Sequence, residues 1–75
     1  FRLGNLELAK KWLEKAYDSQ PDAEISAHYG EVLWALSQRE FALKIFSSGF
    51  KKNPTSSILL DTLTRLKISV DQLRK

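Results

Sequence analysis

With 75 residues and no cysteine, the chain has room for one small domain and can form neither a disulfide framework nor a thiolate metal site. Its 12 basic and 9 acidic residues leave a net charge of only +3, without the dense Lys/Arg stripe of a dedicated nucleic-acid-binding protein. No apolar run approaches the ~20 residues of a membrane-spanning helix. No signal peptide is recognisable and the first residue is Phe1, so we expect a fragment of a longer protein whose compartment these residues do not indicate.

A first helix is predicted to begin at Asn5, which can cap it, and to run to about Tyr17. Its apolar residues recur at helical spacing: Leu6, Ala9, Leu13 and Ala16. Pro21 ends the connection that follows, because proline has no backbone N–H to donate to a continuing helix.

A second helix is predicted from about Asp22 to Leu36. Its inward stripe consists of Ile25, Tyr29, Val32 or Leu33, and Leu36. Gly30 lies in the middle of this helix, where glycine costs ~1 kcal/mol relative to alanine. We expect the close approach of a neighbouring helix, which leaves no room for a side chain, to account for that glycine.

Ser37 and Gln38 form a short turn, and a third helix is predicted from about Arg39 to Lys51. Its inward residues are Phe41, Ala42, Ile45, Phe46 and Gly49. The Asn53-Pro54 dipeptide ends this helix.

The C-terminal segment is predicted to form one continuous amphipathic helix, capped by Thr55 or Ser56 and running to about Arg74. Its stripe steps by four and three residues: Leu59, Leu63, Leu66, Val70 and Leu73. Ser69 followed by Gln72 also resembles a weak capping box, so a kink near Ser69 stays open as an alternative.

The first and third helices repeat each other at a constant offset, because 42 − 9, 46 − 13 and 54 − 21 all equal 33. The matched pairs are Gly4/Ser37, Leu8/Phe41, Ala9/Ala42, Leu13/Phe46, Ala16/Gly49 and Pro21/Pro54. Self-similarity at a period of roughly 34 residues is typical of helix–turn–helix solenoids. Together with Tyr29-Gly30 and Leu33, this pattern resembles the tetratricopeptide repeat.

The resemblance covers about residues 1–54 and implies an all-α fold: an antiparallel helix-hairpin solenoid of about one and a half repeats plus a C-terminal capping helix. Within this single unit, residues 1–21 are the end of one repeat, 22–54 are a full repeat, and 55–75 are the cap that a solenoid end needs. The stretch from His28 to Leu36 is similar in style to repeats of proteobacterial members, some of them periplasmic lipoproteins. That style implies a bacterial protein of the cytoplasm or periplasm.

In this family the first helix of each pair lines a concave groove that binds a partner segment. The resemblance therefore implies a partner-binding groove formed by Glu24, Glu31, Trp34, Leu60, Thr64 and Lys67. Some members grip a peptide carboxylate with lysines and an asparagine on these helices. The matching positions here include Ala27, Glu31 and Ala35, so we do not expect a carboxylate clamp.

The two tryptophans have competing interpretations. Trp34 is either an aromatic anchor for a bound segment or a packing residue between adjacent helices, and both readings stay open. Trp12 is expected to lie half-buried on the outer helix, as amphipathic indole rings often do.

No set of residues indicates catalysis, a metal ion or a cofactor, so we do not expect an enzyme. His28 and Glu31 form an i, i+3 pair, but one histidine and one glutamate do not make a metal site. A nucleophile–base set and a phosphate-binding glycine loop are both lacking from the sequence. Two lysine clusters are more typical of solvated faces than of a polyanion site: Lys10, Lys11 and Lys15, and Lys51 with Lys52.

The sequence therefore predicts a protein–protein interaction scaffold that binds a protein or peptide partner, not a small-molecule substrate. A structural cap that pairs with a second copy is the main alternative, because the apolar side of the first helix around Leu13 lacks a covering helix. Nucleic-acid binding through the lysines is a third and less favoured possibility.

Overall fold

The computed structural model describes residues 3–73, with side chains from residue 5 onward, and this part of the chain contains helices and no strand. The helices are α1 (Leu3–Ser19), α2 (Ala23–Ala35), α3 (Arg39–Lys52), α4 (Ser57–Arg65) and α5 (Val70–Leu73). The predicted all-α class is therefore confirmed. Helix α2 lies at the centre, in contact with α1, α3 and α4, while α5 packs against α3.

The prediction that Asn5 caps the first helix is wrong, because α1 begins at Leu3 and Asn5 lies within it with an exposed side chain. Asparagine is only mildly unfavourable inside a helix, and here the helix continues through it. Gly4 is also helical and has no positive φ, whereas its repeat equivalent Ser37 lies in a left-handed turn. The sequence match at this pair does not correspond to a shared local structure.

Local hydrogen bonds cap both ends of helix α2. The Asp22 Oδ1 atom accepts a hydrogen bond from the Ile25 backbone N–H at 2.8 Å, which satisfies one of the free donors of the first turn. At the other end, Ser37 takes a left-handed conformation with φ 65°. The Gln38 N–H donates to the Leu33 carbonyl at 2.9 Å. A left-handed residue followed by such a backward hydrogen bond is a common way for a helix to end.

The close contact expected at Gly30 is confirmed. A Cβ atom at this position would lie 2.7 Å from the Cδ1 and Cζ atoms of Phe46, whose side chain is fully buried. One turn further along the same crossing, a Cβ at Gly49 would lie 2.5 Å from the Cβ of Ser26. Two glycines, one on each helix, thus let α2 and α3 approach closely. The core around this crossing consists of Ala23, Ala27, Tyr29, Leu33, Ala42, Ile45, Phe46, Leu59, Leu63, Ile68 and Leu73.

The prediction of one continuous C-terminal helix is wrong. Helix α4 ends at Arg65, and Lys67 adopts a left-handed conformation with φ 59°. The Ile68 N–H donates to the Leu63 carbonyl at 2.9 Å, so α4 ends in the same way as α2. The reversal lets Ile68 and then Leu73 become buried, with Leu73 brought against α3. A straight helix would carry Leu73 away from α3 and forfeit that burial.

The alternative of a break near Ser69 is the one that the structure supports. The Ser69 N–H donates to Gln72 Oε1 at 2.8 Å, and the Asp71 N–H donates to Ser69 Oγ at 3.2 Å. These two bonds form a capping arrangement at the start of α5. On α3, the Ser47 hydroxyl donates to the Leu73 carbonyl oxygen at 3.0 Å and fastens the end of α5.

We expect Gly30→Leu to destabilise the protein by about 1–3 kcal/mol, because the new side chain must displace the buried Phe46 ring. His28→Leu on the same helix is the matched control, since His28 is exposed and the change should stay within about 0.5 kcal/mol. Urea denaturation of both variants measures the difference. Equal midpoints for the two variants would mean that the crossing is not close.

We also expect Tyr29 to make stability depend on pH in the alkaline range. Burial, followed by the charges of Glu14 and Asp18, raises the pKa of Tyr29 above its ordinary value. The unfolded chain therefore releases this proton first, near pH 10, and stability should fall as pH rises beyond that point. Between pH 8 and pH 10.5, the urea midpoint should fall less for Tyr29→Phe than for the parent protein. The same fall in both proteins would rule out this contribution.

Candidate protein-interaction surface

An apolar groove of about 270 Å³ lies between α1 and α2. The wall from α1 consists of Leu6, Ala9 and Leu13, and the wall from α2 consists of His28, Glu31, Val32 and Ala35. Leu6 and Val32 are buried and form the floor, whereas Ala35 and His28 are exposed at the edge. The lining of the groove is therefore mainly apolar, with the carboxylate of Glu31 at its rim.

The apolar surface continues on α1 beyond the groove. Leu8 is 58% exposed and Trp12 is 74% exposed, and the two residues stand one turn apart. Lys11 and Lys15 lie beside them in a shallow depression. The expectation that Trp12 is half-buried is wrong, because no helix within residues 3–73 covers this side of α1. Large aromatic side chains that remain in water without a structural role often mark contact surfaces.

Glu31 joins α2 to α4 and also lines the α1–α2 groove. Its carboxylate accepts two hydrogen bonds from the Arg65 guanidinium, at 3.0 and 3.2 Å, in a bidentate arrangement. The hydrogen bonds that Arg65 donates to Glu31 are the main cause that raises the pKa of Arg65. Arg65 also lies 3.8 Å from Asp61, one turn earlier on α4. Arg65 was absent from the predicted groove residues; its spacing from Asp61 on one helix face was the available signal.

Trp34 is half-buried and packs against the edge of the core. The guanidinium carbon of Arg39 lies 4.6 Å from the centre of its ring, which is a cation–π distance. A partner side chain that stacks on the same face of this ring must take the place of Arg39. Both earlier interpretations of Trp34 therefore have a physical basis in this arrangement.

The other predicted groove residues are spread along α2 and α4. Glu24 is exposed near the start of α4, in a depression shared with Ser56 and Ile58, and is separate from the groove that Glu31 lines. Leu60 is half-buried. The hydroxyl of the exposed Thr64 donates to the Leu60 carbonyl at 2.9 Å. Lys67 is the left-handed residue that ends α4, and its side chain is exposed.

The remaining polar candidates lie on separate surfaces. His28 borders the groove beside Glu31, and no cluster of three potential metal ligands occurs among the residues that the structure describes. Lys51 and Lys52 are exposed at the end of α3, away from Lys11 and Lys15 on α1. No helix in the described range is long and apolar enough to cross a membrane.

Comparison with known proteins adds no family. No family model matches the chain, and neither a curated protein nor a solved structure shows significant similarity to it. The likeness to the tetratricopeptide repeat accordingly rests on the internal repeat and the residues quoted for it.

We expect the Glu31–Arg65 contact to behave as a coupled pair. Glu31→Arg and Arg65→Glu should each lower the urea midpoint, because each places like charges opposite one another, and the double exchange should restore most of the loss. High salt should shrink all of these differences. Asp61→Asn is the control variant. Asp61 lies farther from Arg65 than Glu31 does, so this change should lower the urea midpoint less. Additive losses in the double variant would show that the two residues do not interact in solution.

Proposed function

We propose that this protein is a protein–protein interaction module, built as a tetratricopeptide-like array of helix hairpins with α4 and α5 as its C-terminal cap. The observation that carries the proposal is the apolar groove between α1 and α2, together with the exposed Leu8 and Trp12 beside it. The cost of leaving these side chains in water is removed when a partner covers them.

The helices on either side of the groove are held in place before any partner arrives. The Tyr17 hydroxyl on α1 donates to the Ser48 hydroxyl on α3 at 2.9 Å, and the rings of Tyr17 and Tyr29 lie 5.6 Å apart. These contacts fix α1 against the rest of the helices. A preformed surface loses little conformational entropy on binding, so more of the contact energy appears as affinity.

The lining of the groove favours a particular kind of partner. Glu31 lies at its rim with both carboxylate oxygens bonded to Arg65, whereas Glu24 lies in a separate depression near α4. Because the groove walls are mainly apolar, a partner segment with apolar side chains should bind better than a highly charged one. We propose binding rather than catalysis because the polar residues that line the groove, His28 and Glu31, are not accompanied there by a nucleophile.

Self-association is the second candidate function, and the exposure of Trp12 is the observation that favours it. Two copies could bury this face against each other. The exposed lysines alone give weaker support to nucleic-acid binding, because they lie on separate helices.

A displayed library of random 16-residue peptides, selected on the immobilised protein, tests the proposed function. We expect enriched peptides that are apolar and that bind Trp12→Glu and Ala35→Glu at least tenfold more weakly than the parent. Ile58→Glu is the matched control, because Ile58 is also an exposed large apolar residue but lies outside the groove. Circular dichroism verifies that every variant is folded.

Two results would contradict the proposal. One is a selection that enriches no peptide above the background on an unrelated helical protein. The other is a set of peptides that bind Trp12→Glu and Ala35→Glu as tightly as the parent.

A further inference from the structure

We propose that the pocket between α3 and α5 binds a small anion that carries two or more linked phosphate groups, through three lysines and two neutral hydrogen-bond donors. This pocket shares no lining residue with the α1–α2 groove, so the inference goes beyond the proposed interaction function. Its basis is the chemistry of the pocket wall, where acceptor atoms are used within the protein and donors remain.

Three lysines give the pocket its charge. It is an open depression of about 520 Å³, lined by Lys44, Lys51 and Lys52 from α3 and by no aspartate or glutamate. Glu40, one turn before Lys44, lines the neighbouring depression at the start of α3. Within residues 5–73, none of the three lysines forms an ion pair with a carboxylate. The pocket is therefore a site of positive charge that attracts an anion.

The helix dipole accounts for only part of this charge. Lys51 and Lys52 lie in the last turn of α3, where the partial negative charge of the helix end favours cations. Lys44 lies two turns before Lys51, beyond the reach of that effect. A role in stabilising the helix end therefore does not explain why all three lysines line one pocket.

The first neutral donor is the Ser48 hydroxyl. The Tyr17 hydroxyl donates to Ser48 Oγ at 2.9 Å, so this contact joins two hydroxyl groups and uses one of their two protons. The proton of Ser48 is left to donate to another group, and Ser48 lines the pocket. Because Tyr17 holds the oxygen in place, little side-chain freedom is lost when this donor meets a ligand.

The second neutral donor is the side-chain amide of Gln72 on α5. The Ser69 backbone N–H donates to Gln72 Oε1 at 2.8 Å, which occupies the acceptor end of the amide. The NH₂ end remains as a donor on a residue that lines the pocket. The Ser47 hydroxyl donates to the Leu73 carbonyl at 3.0 Å, which occupies a further acceptor and holds α5 against α3. An anion with several acceptor oxygens is the complement of such a wall.

The spacing of the donors indicates more than one anionic group. Lys44 and Lys51 are seven residues apart on α3, which corresponds to a rise of about 10 Å, and Ser48 lies between them. One phosphate group supplies three strong acceptor oxygens and nearly two negative charges. A chain of two or three phosphates can contact Lys51 and Ser48 with one group and Lys44 with the next.

The size of the pocket favours a small ligand over a polymer. Its volume lies within the range of small-molecule sites, roughly 300–1,000 Å³. A long nucleic acid needs a continuous track of cations, but Lys11 and Lys15 line a separate depression on α1. Leu43 and Leu73 add apolar surface to the pocket, which an organic group attached to the phosphates can contact.

Isothermal titration calorimetry of the intact chain, at constant ionic strength and without divalent cations, tests the inference. We expect one pyrophosphate or tripolyphosphate to bind per chain, at least tenfold more tightly than inorganic phosphate. Citrate, a polycarboxylate, is the control for charge alone and should also bind at least tenfold more weakly. ADP distinguishes the sources of the phosphate chain: tighter binding than pyrophosphate assigns the site to an organic diphosphate, and equal binding to the phosphate chain itself.

Variants of the protein locate the site. Lys44→Gln combined with Lys51→Gln should weaken pyrophosphate binding at least tenfold. Lys11→Gln combined with Lys15→Gln removes the same charge outside the pocket and should change binding less than twofold. Two single variants keep every lysine and should each weaken binding several-fold. Ser48→Ala removes a donor, and Gln72→Glu keeps the oxygen that accepts from Ser69 but places a carboxylate at the wall. Circular dichroism verifies that each variant is folded.

Several results would overturn the inference. These are the lack of saturable pyrophosphate and tripolyphosphate binding, citrate binding as tight as that of pyrophosphate, or equal losses in the two lysine pairs. Unchanged binding in both Ser48→Ala and Gln72→Glu would also overturn it and would leave the lysines as a solvated face. A single-stranded thymidine 15-mer that binds tenfold more tightly than tripolyphosphate, and through the same residues, would assign the lysines to nucleic acid instead. Trp12→Glu should bind pyrophosphate like the parent, so this test and that of the groove fail independently.

Discussion

The close crossing of α2 and α3 is the contact on which the rest of the structure depends. It requires that Gly30 have no side chain, because Phe46 occupies the space that a Cβ would take. The cost of a glycine inside a helix, ~1 kcal/mol, is offset by the burial of a whole phenylalanine ring. Because α2 is fixed against α3 here, its other sides are left to contact α1 and α4.

Much of this architecture could be predicted from local patterns. The start of α2 at Asp22, its end at Ser37 and the need for a small residue at Gly30 each leave a signature in the neighbouring residues. Such features depend on hydrogen bonds and steric contacts whose chemistry is visible in a few letters of sequence. The central part of the fold is therefore the part that the periodicity and the capping residues describe well.

The errors occur where a tertiary contact overrides a local pattern. The stripe from Leu59 to Leu73 has helical spacing throughout, yet the chain reverses at Lys67, a residue with no special preference for a left-handed conformation. What favours the reversal is the burial of Ile68 and Leu73, which only the folded neighbours provide. Trp12 shows the opposite error, because it was expected to be half-buried and is exposed. Its repeat equivalent Ile45 is buried in the core, whereas no helix among the described residues covers Trp12.

The candidate site follows from the same asymmetry between the two ends of the helix array. At the C-terminal end, the reversal at Lys67 folds α5 back onto α3, and the Ser47–Leu73 hydrogen bond fastens it there. Helix α3 is therefore contacted on two sides, by α2 and by α5, although Phe41, which the sequence predicted to face inward, remains 43% exposed. Helix α1 packs mainly against α2 and reaches α3 through the Tyr17–Ser48 hydrogen bond, although half of its circumference is apolar. Of the two repeat-equivalent helices, α1 is thus the one whose burial is less complete. Its apolar face and the apolar residues of α2 that line the groove form a surface that a partner can cover, which is why the groove beside α1 is the stronger candidate for a contact than the polar surface around Thr64 and Lys67.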